Sequence, residues 1–206
     1  MGPDSVAAVE TDRAGNPVAR RTFDLPLYHK TRTQARAMIG EIAAVLGAWA
    51  VRSGKPVALE ELDFERKRAE LRERGKGYAR MLSSFAFGAL SEAIHSRGAR
   101  MGVQVISVDP AYSSTMGVIK YAALYGLSGD EAAALVLARR AMNLGESLPA
   151  GTALGRPEDR SRHVWEHRQR LGKALRSKGR HAFIAARRGP GGRRVHPVFP
   201  ARASPA

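Results

Sequence analysis

Glu60 closes the apolar run Val57-Ala58-Leu59 and is followed by a second acid, Glu61, while Asp130 opens the run EAAALVLARRAM just behind Ser128. An acid at the end of a buried strand and an acid in the first turn of a helix are oxygen donors that an α/β domain can bring to one sheet edge. Paired carboxylates there can hold two Mg²⁺ or Mn²⁺ ions about 4 Å apart, activating a water and stabilising the leaving oxygen of a phosphodiester. Both acids also suit plainer roles. Glu60 fits a solvated strand end, and Asp130 fits the negative charge that a helix dipole favours in its first turn. Spacing alone does not separate the readings.

Other groups are weaker candidates. Asp109 ends the run VQVISV, but the Asp-Pro step that it forms is ordinary turn chemistry, and Tyr112 and Ser113 either close that turn or touch a nucleic acid. His163 and His167 have the i, i+4 spacing of a metal pair, yet Arg160, Arg162, Arg168 and Arg170 surround them and no third ligand stands at a suitable spacing. A basic helix facing phosphate, through Arg168 and Arg170, is the better reading. A second basic stretch, Arg66, Lys67, Arg68, Arg72, Arg74, Lys76 and Arg80, follows the acidic strand end, either tracking a nucleic-acid backbone toward the site or forming a solvated loop. Phe85 and Phe87 cannot share a helical face, which assigns Phe85 to the core and leaves Phe87 on a second packing surface or in solvent.

These side chains need a scaffold, and the sequence outlines one. Ser5 to Thr11 and Val18 to Asp24 are short alternating runs around the turn residues Asp12 to Pro17, a β-hairpin. Residues 31 to 53 repeat apolar side chains at helical spacing from Thr31, a suitable N-cap, to the stop at Gly54. A strand over PVALEEL, a charged connection, a helix from Met81 to Arg100 and a strand over VQVISV follow. Residues 113 to 126 fit no single period. Ser128 caps a helix from about Asp130 to Met142, and one amphipathic helix is expected at His163 to Leu175. A hairpin followed by alternating helices and strands predicts a three-layer α/β domain over residues 1 to 148. Residues 149 to 206 are expected to be a basic tail rich in Pro, Gly and Arg, disordered apart from that one helix.

Composition narrows the partners. The 206 residues contain no cysteine, which excludes a disulfide framework, a cysteine zinc ribbon and a cysteine nucleophile. The net charge is +15, and residues 156 to 206 hold 14 Lys and Arg against three acids, so the excess sits in the tail. Such a balance favours polyanions, nucleic acid before an anionic membrane, because each neutralised phosphate releases counterions. A merely solubilising tail is the bland alternative. The apolar stretch Ile39 to Val51 is too short to span a bilayer and the N-terminus lacks a signal-peptide n-region, so a soluble cytoplasmic protein is expected.

Three stretches in order carry a resemblance: LEELDFERKR, RMLSSFAFGALSEAIHSRGARMGVQVISVDPAYSSTMG and GLSGDEAAALVLARRAM. They resemble the C-terminal half of TnpB (OrfB) proteins, the transposon-associated, RNA-guided nucleases with a RuvC-like domain, over roughly residues 4 to 148. The resemblance implies an RNase H-like fold, with Glu60 as the glutamate of the second RuvC motif and Asp130 as the aspartate of the third. It also implies Mg²⁺ or Mn²⁺ as cofactor, DNA as substrate and a guide RNA as a further partner. Two departures accompany it. The family's opening G-x-D-type aspartate lies on the central strand of the sheet, and that strand would fall upstream of Met1; Asp4 is a candidate substitute, but its expected place beyond that strand argues against it. The four-cysteine zinc ribbon is replaced by MGVIKYAALYG, so no zinc is expected, as in a subgroup described as TnpB-related. Besides a metal-dependent endonuclease, two alternatives stay open: a nonenzymatic nucleic-acid-binding remnant, and a structural or partner-binding domain.

Overall fold

A computed structural model describes residues 5–61, 77–146 and 164–178. In chain order these form β1 (Ser5–Thr11), β2 (Pro17–Asp24), α1 (Arg32–Ser53), β3 (Val57–Glu60), α2 (Gly77–Met101), β4 (Val105–Val108), α3 (Ser113–Met116), a π-helical segment (Gly117–Ala122), α4 (Ala123–Tyr125), α5 (Gly129–Ala141) and α6 (Val164–Lys178). The protein is thus mixed α/β. The expected boundary at 148/149, the connection over 62–76 and the tail beyond 178 lie outside the described residues.

The strands fall into two separate pairs among the described residues, β1 with β2 and β3 with β4. The first pair is a hairpin whose turn is organised by one carboxylate. Asp12 Oδ1 accepts from the Ala14 and Asn16 N–H groups at 2.9 and 2.8 Å, and Asp12 Oδ2 accepts from Asn16 Nδ2 at 3.1 Å. These donors, the Asn16 backbone foremost, hold the Asp12 carboxyl below its ordinary value. The second pair is parallel, with Val57 opposite Val105 and Glu60 opposite Val108. Parallel neighbours need a crossover connection, and α2 lies within it.

The chain divides into two compact units. The first comprises residues 1–6 and 22–110 and contains the parallel pair with α1 and α2. Thr31 caps α1 as its sequence predicts: the Thr31 hydroxyl accepts from the Gln34 N–H while the Gln34 side chain accepts from the Thr31 N–H, a reciprocal box that satisfies two of the helix's orphan donors. Gly54, at φ 61°, ends the helix in the left-handed conformation that only glycine adopts cheaply. Ile39, Ile42 and Ala43 bury the face of α1 that the 3.6-residue spacing selects, and Ala86, Leu90 and Ile94 do the same on α2. The second helix starts at Gly77, four residues before the expected Met81.

The second unit comprises residues 7–21 and 111–206. Its main core joins Met116, Tyr121, Leu127, Ala132, Leu135 and Val136, with Val9 of β1 against them. A smaller cluster joins Val118 and Ile119 of the π segment to Leu171 and Leu175 of α6. Of the residues 113–126 that fit no single period, 113–125 are helical, with a wide π turn in the middle, and Gly126 ends them in the left-handed conformation. No helix among the described residues is long and apolar enough to cross a membrane.

Candidate functional site

Glu60 is the last residue of β3 and is half-buried. Backbone pairing sets its direction. The Glu61 N–H donates to the Val108 carbonyl at 2.8 Å and the Val57 N–H to the Gln104 carbonyl at 2.9 Å. Because strand groups alternate, the Glu60 N–H faces the opposite edge of the pair from β4. The glutamate therefore stands where the sequence puts it, at the carboxyl end of a parallel strand, the end at which open α/β sheets bind their ligands.

Asp130 is the second residue of α5 and is also half-buried. The helix starts on a second capping box. The Ser128 hydroxyl accepts from the Glu131 N–H at 3.2 Å, and Glu131 Oε2 accepts from the Ser128 N–H at 2.8 Å. Arg20 of β2 completes this corner, donating from Nη1 to the Gly126 carbonyl at 2.8 Å and to Glu131 Oε2 at 3.2 Å. Glu131 is thereby engaged as cap and counter-ion. Asp130, next to it, is the acid that the box does not use.

Glu60 belongs to the first unit and Asp130 to the second. Each offers the hard oxygen donor that Mg²⁺ and Mn²⁺ take, and Mg²⁺ commonly completes its shell with water and substrate phosphate oxygens. Among the described residues no group of three or more His, Asp or Glu side chains gathers as a ligand set.

Of the expected nucleic-acid contacts, Arg66, Lys67, Arg68, Arg72, Arg74 and Lys76 lie outside the described residues, and Arg80 is described only as backbone within α2. Arg168 is half-buried on α6 and Arg170 is exposed. Asp109 is exposed, two residues before the turn at Ala111-Tyr112. Tyr112 takes φ 60° as α3 begins, and Ser113 is buried. Phe87 is half-buried.

A further cluster, which no sequence motif announces, is centred on Glu146, whose side chain is only 1 % exposed. Glu146 Oε1 accepts from Arg139 Nε at 2.9 Å, and Oε2 accepts from Lys120 Nζ at 3.3 Å and from the Tyr121 hydroxyl. Lys120 and Arg139 lie 5.1 and 5.4 Å from the Tyr121 ring centroid, close enough for cation–π attraction. Burial, and then the bond to Glu146, push the Tyr121 hydroxyl above its ordinary value of 10.0. Arg139 Nη1 also reaches the hairpin turn, donating to the Gly15 carbonyl at 2.9 Å and the Ala14 carbonyl at 3.3 Å. The residues are 7, 25 and 26 positions from Glu146, so no local motif could have announced them. No buried side-chain nitrogen or oxygen among the described residues lacks a partner, and the cluster's bonds tie α5 to the π segment and to the hairpin turn.

Comparison with known proteins adds no relative: no family model, no curated protein and no solved structure matches the chain.

Proposed function

We propose that this chain carries a TnpB-like, RuvC-like nuclease domain with an RNase H-like architecture, acting on DNA by metal-dependent phosphodiester hydrolysis. Glu60 and Asp130 would hold Mg²⁺ or Mn²⁺. The observation that carries the reading is the parallel pair β3–β4, joined by a crossover that contains α2, the kind of strand–helix–strand unit on which an RNase H-like domain can be built. The acids support it from the same direction, one at the carboxyl end of β3 and one in the first turn of α5.

When bound, the metal would activate the attacking water and stabilise the leaving oxygen. The chain's own part is to offer the two carboxylates from half-buried positions at the ends of regular elements. Glu131, tied to Ser128 and Arg20, fixes the helix end on which Asp130 rides. The test is cleavage of labelled single- and double-stranded DNA by the purified chain with Mg²⁺ or Mn²⁺, compared with Glu60→Gln and Asp130→Asn. Each substitution should lower the rate ~100-fold or more, since the metal's charge stabilisation is worth several kcal/mol. No metal-dependent turnover by the wild-type chain sinks the proposal.

A nonenzymatic nucleic-acid-binding remnant is the second reading, favoured by the net charge of +15. It predicts salt-sensitive binding without turnover, and Glu60→Gln would then change nothing measurable.

A further inference from the structure

α6 is a helix with its apolar side already spent. Leu171 is 0 % and Leu175 8 % exposed, both packed on Val118 and Ile119. A Cβ on Gly172 would stand 3.6 Å from Thr115 Oγ1, so the helix is seated closely on α3 as well. At 100° per residue, the side opposite Leu171 and Leu175 carries Glu166, Gln169, Arg170, Lys173, Arg176 and Ser177, all exposed, so three cations share this side with one acid. Glu166, near the start of the helix, is the one acid among its described side chains. Arg168, which the sequence offers as an equal candidate, lies on the half-buried flank.

We propose that α6 presents Arg170, Lys173 and Arg176 as a row that binds the backbone of double-stranded DNA without reading its sequence. The inference rests on the nucleic-acid reading of the protein and assigns a surface to it. The three residues follow one another every three positions, about 4.5 Å apart along the axis, so the row runs about 9 Å. Long basic side chains over that length match several phosphates of a duplex, which carries a charge every ~1.7 Å of axis.

The packing discriminates among polyanionic partners. A basic amphipathic helix binds a lipid surface by burying its apolar face, and a helix-in-groove partner needs apolar anchors. Leu171 and Leu175 are already inside the protein, so α6 offers charge alone. Single-stranded binders add aromatic platforms for base stacking. The exposed residues along and beside the row, Gln169, Arg170, Lys173, Arg176 and Ser177, include no aromatic, which favours a duplex held by its phosphates.

Fluorescence anisotropy tests this on the full chain, with two labelled duplexes of unrelated sequence between 50 and 200 mM salt. The variant is Arg170→Gln/Lys173→Gln/Arg176→Gln. The control, Arg13→Gln/Lys30→Gln/Arg36→Gln, removes the same charge from exposed positions elsewhere. Three phosphate contacts contribute about 2.7 to the log–log salt slope, roughly a 40-fold change in affinity over that range. The α6 variant should lose a slope of 2 to 3, roughly, on both duplexes, and the control well under half of that. Melting curves should be alike, since all six side chains are exposed.

Equal losses in variant and control, or none in either, overturn the assignment to α6 while leaving nucleic-acid binding intact. A wild-type chain that binds no duplex at 50 mM salt overturns the nucleic-acid reading itself. Tighter binding to a single strand, or to vesicles containing phosphatidylserine, with the same dependence on the three residues, overturns the choice of partner.

Discussion

Replacing Glu146 by Gln should destabilise the second unit more than any other single-atom change among its described polar groups. The carboxylate is 1 % exposed and faces Lys120 and Arg139, whose side chains are 21 % and 15 % exposed. Glutamine keeps the shape and one acceptor oxygen, so Arg139 or Tyr121 retains a partner. It removes the negative charge between two cations and turns an NH₂ group toward one of them. Breaking a fully buried pair by removing one partner costs ~3–5 kcal/mol, and the partial exposure of both cations places this case near the lower end, at about 3 kcal/mol. For a chain of this size that is a fall in Tm of roughly 6–12 °C. Thermal and urea melts read it directly, with exposed Glu41→Gln as a control expected to stay within ~0.5 kcal/mol. Combining Glu146→Gln with Arg139→Gln closes a double-mutant cycle whose coupling should be about 1–3 kcal/mol. A Glu146→Gln variant as stable as the control, or a coupling near zero, would refute the view that this carboxylate ties the end of α5 to the π segment.

Four shorter predictions accompany it. Gly117→Ala places a Cβ 2.6 Å from the Ala132 carbonyl carbon and oxygen and 2.7 Å from the Ala133 nitrogen. Backbone cannot yield as a side chain can, so the substitution should cost at least ~2 kcal/mol in a melt, although alanine favours helix. Leu171→Ala empties a fully buried site and should cost ~2–5 kcal/mol, with loss of helical circular dichroism because a 15-residue helix is marginal without its packing. Ser128→Ala removes the cap of α5 and should cost about 1 kcal/mol. Tyr121 has a folded value above its unfolded 10.0, so its contribution is complete below pH 10 and falls away as pH rises toward the folded value. Melts in alkaline buffer should show Tyr121→Phe losing less stability than wild type between neutral pH and the alkaline limb.

Much of the scaffold was legible because its signals are local. The turn Asp12 to Pro17, the caps Thr31 and Ser128 and the stop at Gly54 all occur where their residue types demand them. The region 113–126 resisted because a π turn breaks the 3.6-residue repeat: Met116, Val118, Ile119 and Tyr121 are all buried, a pattern with no single period. Glu131 was readable in part, since Ser128-Gly129-Asp130-Glu131 has the capping-box form, but its partner Arg20 is 111 residues away. The Glu146 cluster is built wholly from such distant partners. For the candidate site, sequence supplied the acids and their elements, Glu60 ending β3 and Asp130 opening α5. Which cations of α6 face solvent needed the packing of Leu171 and Leu175.

The π-helical segment is a party wall. Val118 and Ile119 belong to the small cluster under α6, whereas Tyr121 belongs to the main core and, with Lys120, grips Glu146. Four consecutive residues thus serve two rooms. Loosening α6 strips cover from Val118 and Ile119, and the next two residues along the chain are those that clasp the carboxylate. The basic helix therefore shares its cooperativity with the hairpin turn that Arg139 holds, and hydrogen exchange should report residues 13–16 and α6 opening as one event.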